Sequence, residues 1–484
     1  MQAYLNRIQS SSKNQIFFFI CSVFLALNCT LLYFEQYWIM LIPFAFFLIY
    51  LAIVASDKLF LFIIFCTPLS INLADQLKNG FGVYFPTEPL LAGMTLVFLL
   101  KVFYDWKYDI QILKHPVTVV VILNLIWIAI CCITSASPLI SIKFLVARIW
   151  FVIPLYFVGI QVFKHVENIR IFPWLYTIPM IAVVVYTIIY HATFGFDHKA
   201  AHWVMQPFYT DHTQYGAALA MFYPFLIGSI FSPRIAANRK ILISCLLITI
   251  SVGLILSFTR AAWLSIGISL FVGLIIWLKL KFRTVFIFFS LIAILFFSFQ
   301  QEILKALEQN KQESSNNLLE HAESVSNIAS DASNLERINR WNSAIRMFRE
   351  RPNMGFGPGT YSFYYAPFQK TEDKTIISTN FGDRGSAHSE YLGPLAETGW
   401  PGLMLTVLLV IVVINSAVRT YNKVKNNELR LILITVFLGL MTYFIHGTLN
   451  NFLDSDKASV PFWGFIALIV ACDVYHKNMN IAND

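Results

Sequence analysis

Residues 386 to 403, SAHSEYLGPLAETGWPGL, place His388, Glu390, Tyr391 and Glu397 just ahead of a long apolar run. Imidazole has its ordinary pKa close to neutral, so His388 could take a proton from a hydroxyl; read alone, a hydrogen-bonded interfacial histidine is the commoner case. Arginines change the balance. Arg260, in SFTRAAWL, stands at one end of an apolar span, and Arg148, in SIKFLVARIWF, stands inside another. By helical rise Arg148 is roughly 10 Å from the helix end. A deep arginine costs about 2.5 to 3.5 kcal/mol on insertion scales, so it usually faces a partner or a cavity. Arg337 and Arg340 belong to a polar helix nearby in sequence. Several guanidinium groups with one imidazole suit an anionic lipid head group, most naturally a diphosphate held by bidentate contacts.

The remaining polar residues leave alternatives open. Glu397 could orient His388 or cap local structure. Tyr391, His446 and Asn450 are candidates for contact with a sugar or acceptor, although His446, Asn450 and Asp454 also recur every four residues, as a polar packing stripe would. No HExxH occurs, and His388 with Glu390 is too common a pair to indicate a metal, so none is expected. The glycine run GFGPG at 355 to 359 lacks the Lys-Ser/Thr ending of a phosphate loop and is read as a turn, with Gly357 and Gly359 taking unusual backbone angles. Its aromatic continuation, Tyr361, Phe363, Tyr364 and Tyr365, suits membrane-surface anchoring or a sugar platform.

These residues must be positioned by a membrane scaffold. The chain has 484 residues, of which 57% are hydrophobic and 13% charged, with mean hydropathy +0.64. Soluble domains carry about a quarter charged residues, so the composition is that of an all-α polytopic membrane protein. Fourteen apolar stretches are candidate spans, near 16–34, 37–55, 59–74, 87–104, 116–135, 141–163, 169–191, 214–231, 240–257, 260–280, 283–300, 401–418, 431–449 and 460–475. Pro68 interrupts the third, and the expected total is about 12 to 14. The first follows Arg7 and Lys13 like a signal peptide but lacks a small-residue cleavage site, so it is expected to stay as a helix.

Nineteen lysines and arginines fall in the segments that alternate with the N-terminus on one side, while the short loops on the other side hold only Lys78, Lys199, Arg260 and Lys457. Both termini are therefore expected in the cytoplasm and residues 301–400 outside. That asymmetry also accounts for most of the +8 net charge, so nucleic acid is not an expected partner. All seven cysteines lie in or beside apolar spans, without disulfide or zinc-ligand spacing. The expected organisation is a bundle over 1–300, a large outer loop over 301–400 and further spans over 401–484. Within the loop an acidic, Ser- and Asn-rich stretch precedes LERINRWNSAIRMFRERP, whose apolar positions recur at helical spacing up to Arg351 and Pro352. In the segment after it, Pro394 predicts a kink or restart, Gly399 a helix end and Pro401 a new helix start.

TRAAWL (259–264), RINRWNSAIRMFRERPNMGFGPGTY (337–361) and HSEYLGPLAETGWPGL (388–403) together resemble the O-antigen ligase and polymerase superfamily of bacterial envelope enzymes, the Wzy_C type. DHTQYGAALAMFYP (211–224) resembles a less distinctive segment of that family, with Gln214 where Asn is usual. The resemblance implies a GT-C-like helical glycosyltransferase of the bacterial inner membrane, working at the periplasmic face without a cofactor. Its donor would be a glycan on undecaprenyl diphosphate, its acceptor lipid A-core or a growing glycan, and its surroundings membrane lipids. It further implies His388 as general base and Arg260 and Arg337 as diphosphate ligands; Pro394 departs from the motif. O-antigen ligase is the leading reading, with a polysaccharide polymerase or a protein O-oligosaccharyltransferase using the same donor chemistry. A lipid-linked glycan flippase or transporter would place polar, broken helices near the bilayer midplane, whereas the polar groups here gather at one end.

Overall fold

The computed structural model describes residues 15, 18, 19, 21–31, 33, 42–73, 82–105, 108–279, 332–374, 378 and 385–476. The expected span at 283–300 and most of the acidic stretch after it lie outside the described residues. The chain divides into two compact units, Met1–Leu59 and Phe60–Asp484. The first carries the apolar helices Cys21–Leu31 and Ile42–Val54. The expected third span is broken: helix Ser56–Cys66 gives way to a 3-10 turn at Thr67–Leu69 containing Pro68.

Ten helices among the described residues are long and apolar enough to cross a membrane, and the chain is an all-α polytopic membrane protein. They are α1 (Thr87–Tyr104), α2 (Pro116–Ile133), α3 (Pro138–Val162), α4 (Val166–Ala192), α5 (His212–Phe231), α6 (Ala237–Leu256) and α7 (Arg260–Trp277); after the non-spanning α8 (Ala332–Glu350) come α9 (Leu392–Lys423), α10 (Asn427–His446) and α11 (Asp456–His476). The sheet among the described residues is one antiparallel pair, β1 (Ile71–Asn72) and β2 (Tyr84–Phe85), with Ile71 opposite Phe85. Local chemistry sets the helix starts. Asp211 and Asn426 accept from backbone N–H groups in the first turns of α5 and α10, and Pro116 and Pro138 occupy first-turn positions where no N–H is needed.

The centre of the bundle is α5, α10 and α11, in which 78%, 72% and 89% of the spanning window is buried, whereas α7 is only 17% buried and faces outward. Helices on either side of the loop interleave, α5 against α10 and α2 against α9. Close approach is possible because a Cβ on Gly439 of α10 would lie 2.3 Å from the Met221 carbonyl oxygen of α5. Lys457, expected in an outer loop, is instead fully buried at the start of α11. Its Nζ donates to the Thr67 and Ser70 carbonyl oxygens at 2.5 and 2.7 Å, while neighbouring Asp456 accepts from the Ser70 hydroxyl. Paired in this way, two charges staple the broken third segment to the core.

Beyond the ends of the spans, α8 packs on the first part of α9 around Ala344, Met347, Phe356, Tyr361, Tyr365, Ala387 and Ala396. Tyr361 and Tyr365 stack at 5.3 Å inside this small core, so they are not the expected surface anchors; Phe363 does stay exposed. The glycine run is a turn, with φ of 64°, 114° and 73° at Gly355, Gly357 and Gly359. It lies against α9: the Phe356 and Gly357 N–H groups donate to the carbonyl oxygens of Ala396 and Glu397 at 3.1 and 2.8 Å. Of the kink or restart expected at Pro394, the structure has the restart: α9 begins at Leu392, and Pro394 falls in its first turn, where its missing N–H costs nothing. The break comes at Gly399 (φ 73°, ψ −171°), and Trp400 N–H donates to the Pro352 carbonyl oxygen at 2.9 Å.

A Cβ at Gly399 would lie 2.3 Å from the Asn353 carbonyl oxygen, on a backbone that L-residues avoid. Gly399→Ala is expected to destabilise by more than about 1 kcal/mol, read as a lower unfolding midpoint in detergent. Gly393→Ala, where the new methyl meets nothing nearer than Ala387 Cβ at 3.8 Å, is expected to leave that midpoint unchanged.

Candidate active site

His388 does not lie on a helix face. Residues 386–391 form a turn ahead of α9, and His388 takes φ 49°, a conformation uncommon for a side chain with a Cβ. Several contacts fix it there. Trp341 Nε1–H of α8 donates to the His388 carbonyl oxygen at 3.4 Å, and the His388 N–H donates to Ser386 Oγ at 3.3 Å. Two residues on, Glu390 N–H donates to the Gly447 carbonyl oxygen at 2.8 Å. The Glu390 side chain then ties the turn to the α10–α11 connection. Its Oε1 accepts from Tyr443 Oη–H at 2.6 Å, Phe452 N–H at 2.8 Å and Leu453 N–H at 3.0 Å. Burial first, and then Asp454, raises the Glu390 carboxyl above the usual range, with those donors opposing.

Arg260 is the first residue of α7, held by a tight connection from α6. Phe258 takes φ 49°, Thr259 Oγ1 donates to the His212 carbonyl oxygen at 2.8 Å, and Trp263 Nε1–H donates to the Leu254 carbonyl oxygen at 2.9 Å. Arg260 is thereby set beside the start of α5. Arg337, on α8, comes close enough for its charge to act on Arg260, His388, His212 and His446. Burial and then Arg260 lower the affinity of the Arg337 guanidinium for its proton. Asp211, at the start of α5, supplies opposing negative charge to His388, His212 and His446. Burial, followed by Arg337 and Arg340, pushes the His388 imidazole down to about 4, so it is neutral near pH 7.

Other candidates are placed elsewhere or given other partners. Arg340, one turn from Arg337, pairs through Nε with Glu336 Oε1 at 2.6 Å and lies 4.0 Å over the Tyr365 ring, yet its charge still reaches His388. Burial tends to raise Glu336, but hydrogen bonds from Ser378 and Arg340 outweigh it and hold the carboxyl below the usual range. Arg148 pairs with Asp454 Oδ1 at 2.9 Å, donates to the Leu453 carbonyl oxygen at 3.4 Å and lies over Phe144. It lines a pocket shared with Glu390, Tyr391, Glu397, Tyr443 and Trp463. Glu397 accepts from Gly359 N–H at 3.0 Å and Tyr361 N–H at 2.9 Å, so its two oxygens hold the glycine turn. Tyr391 Oη–H donates to the Phe444 carbonyl oxygen at 3.0 Å. His446 closes α10, and Asn450, in the turn beyond it, lies 3.1 Å from its Nε2.

Sequence reasoning passed over His212, His202 and the anchoring role of Glu390. The His202 and His212 rings meet at 4.1 Å, and the second follows Asp211 in the DHTQYG segment, where an acidic N-cap ahead of a histidine was the available signal. Burial lowers His202, against Asp211. Among the described residues no three His, Cys, Asp or Glu side chains converge so as to hold a metal ion. The arrangement brings cationic guanidinium groups to a neutral imidazole at one end of the bundle. It can bind a multiply charged anion and accept a proton beside it.

No curated protein matches the chain. A family model described as O-antigen ligase, Wzy_C, matches residues 245–407, a stretch that contains Arg260, Arg337, Arg340, His388 and Glu397. Its members are glycosyltransferase-like enzymes, ligases and polymerases. The chain carries an O-antigen ligase (Wzy_C) domain at residues 245–407, and this supports its place in the O-antigen ligase-like superfamily.

Proposed function

We propose that the protein is an O-antigen ligase, transferring a glycan from undecaprenyl diphosphate to a hydroxyl of lipid A-core at the periplasmic face of the bacterial inner membrane. The convergence of His388 with Arg260 and Arg337, all inside the family-matched stretch, carries this reading. Arg260 and Arg337 hold the donor diphosphate, and Arg340 adds charge from behind its pair with Glu336. The acceptor oxygen attacks the anomeric carbon, the bond from that carbon to phosphate oxygen breaks, and undecaprenyl diphosphate leaves with the electron pair. His388 takes the acceptor proton. Positive charge fixed at the leaving group stabilises the negative charge that develops there. The excess of lysine and arginine at the opposite ends of the spans supports the periplasmic assignment.

The test is reconstitution in liposomes with a diphosphate-linked oligosaccharide and candidate acceptors. His388→Ala is expected to lower transfer by about 10² to 10⁴-fold. Arg260→Ala and Arg337→Ala are expected to lower kcat/KM by about 10² to 10³-fold. Full transfer by the histidine and arginine variants would overturn the site. Elongation of the lipid-linked glycan, or glycosylation of a serine or threonine peptide, would replace ligase by the polymerase or protein-glycosylating activity. Glycan translocation without a new bond would remove enzymatic transfer altogether.

The pH dependence follows from the same charges. A base must be neutral, so activity is present above the His388 pKa and is lost as pH falls through it. In the free protein that limb lies near about 4, because burial and two arginines disfavour the imidazolium. Bound diphosphate offsets the arginine charges, so the acid limb of kcat is expected at higher pH than that of kcat/KM. Rate profiles for both quantities check this; a kcat limb at equal or lower pH would exclude diphosphate beside His388.

A further inference from the structure

At the end of the bundle opposite His388, α4, α5, α6 and α10 enclose a groove of about 430 Å³. Its mouth carries Arg170, Arg234 and Arg239, with Glu428 as the one acidic residue among those lining it. Arg170 donates to Glu428 Oε2 through Nε at 3.0 Å and Nη2 at 2.8 Å, and Arg234 Nη1 reaches the same oxygen at 2.5 Å, so two cations share one carboxylate oxygen. Arg239 is exposed at the same mouth. Among the lining residues three guanidinium groups stand with one carboxylate, so the lining is cationic. Deeper in, the walls are apolar: Trp174 and Ile178 on α4, Leu242 and Leu246 on α6, and Leu431 on α10. Ile178 and Leu242 are 56% and 60% exposed, so the groove opens sideways along the outer surface of the spans.

We propose that this groove binds an anionic phospholipid, with the phosphate at the arginine mouth and an acyl chain along Leu242, Leu246 and Ile178. Charge and depth argue for it together. A phosphate presents several acceptor oxygens to guanidinium forks, and Glu428 keeps Arg170 and Arg234 aimed at the mouth without cancelling their charge. Basic pockets between membrane helices recognise acidic head groups, and an apolar wall running from the head-group level into the bilayer gives the attached chain a place that free phosphate would leave empty. The site lies away from the transfer chemistry, so it does not depend on the function proposed above.

Native mass spectrometry of the delipidated full-length protein tests this, with phosphatidylglycerol, phosphatidylcholine and inorganic phosphate as separate probes. Phosphatidylglycerol is expected to be retained in preference to phosphatidylcholine. Its affinity is expected to fall about fivefold for each arginine removed in Arg239→Gln and Arg234→Gln. Leu246→Trp, which fills the apolar wall and leaves every charge in place, is expected to reduce phosphatidylglycerol retention too. Equal retention of the two lipids, or no effect of Arg239→Gln, overturns the proposal. Displacement of the lipid by inorganic phosphate, combined with an unaffected Leu246→Trp variant, would make the mouth a phosphate site and likewise overturn it.

Discussion

A carboxylate buried at the end of a membrane bundle must be given donors, and the Glu390 side chain receives three on one oxygen. Leaving such a group unsatisfied costs several kcal/mol in a low dielectric, so the contact admits few alternatives. Those donors come from α10 and the connection into α11, while Glu390 itself belongs to the turn ahead of α9. One interaction therefore fixes three elements, and His388 is two residues from it. The backbone N–H of Glu390 bonds Gly447 as well, so the turn is held by main chain and side chain together. Because the turn is over-determined, His388 can keep a left-handed backbone angle that would otherwise relax.

The second consequence is electrostatic. Arg337 stands near Arg260 and three histidines; the Arg260 charge disfavours the Arg337 cation beside it, and the Arg337 charge disfavours protonation of the imidazoles. Asp211 offsets part of that repulsion, and Glu336 absorbs Arg340. Such a cluster of positive charge favours an anion, and burial together with Arg337 and Arg340 keeps the His388 imidazole unprotonated near pH 7.

The two ends of the bundle handle cations differently. At the His388 end Arg148 is paired with Asp454 and Arg340 with Glu336, while the charge of Arg260 acts on Arg337. At the opposite end Arg170 and Arg234 crowd onto Glu428, and Arg419 pairs with buried Asp473. A bilayer allows these charges only at its margins, where water and head groups can share in solvating them. Membrane depth sorted the charged residues by end.

Much of the fold was legible because its signals are local. Apolar runs of bilayer length marked the ten spans found among the described residues, GFGPG marked a turn, and Gly399 with Pro401 marked the break in α9. The candidate residues were legible as types: an imidazole beside a membrane helix, and arginines where arginine is expensive. Their partners were not. Glu397 holds the glycine turn, Arg148 holds Asp454 from 306 positions away, and Lys457 is sunk against residues 387 and 390 positions earlier. Periodicity and composition report what one segment must do with water and lipid, so the sequence alone determined the spans, their polar ends and the chemistry on offer. Which charges neutralise one another and which meet at His388 depends on how distant backbones pack, on the glycine contact between α5 and α10, and on the Glu390 anchor. Only the tertiary structure decided that, because an ion pair is a matter of a few ångströms between groups whose separation along the chain carries no such information.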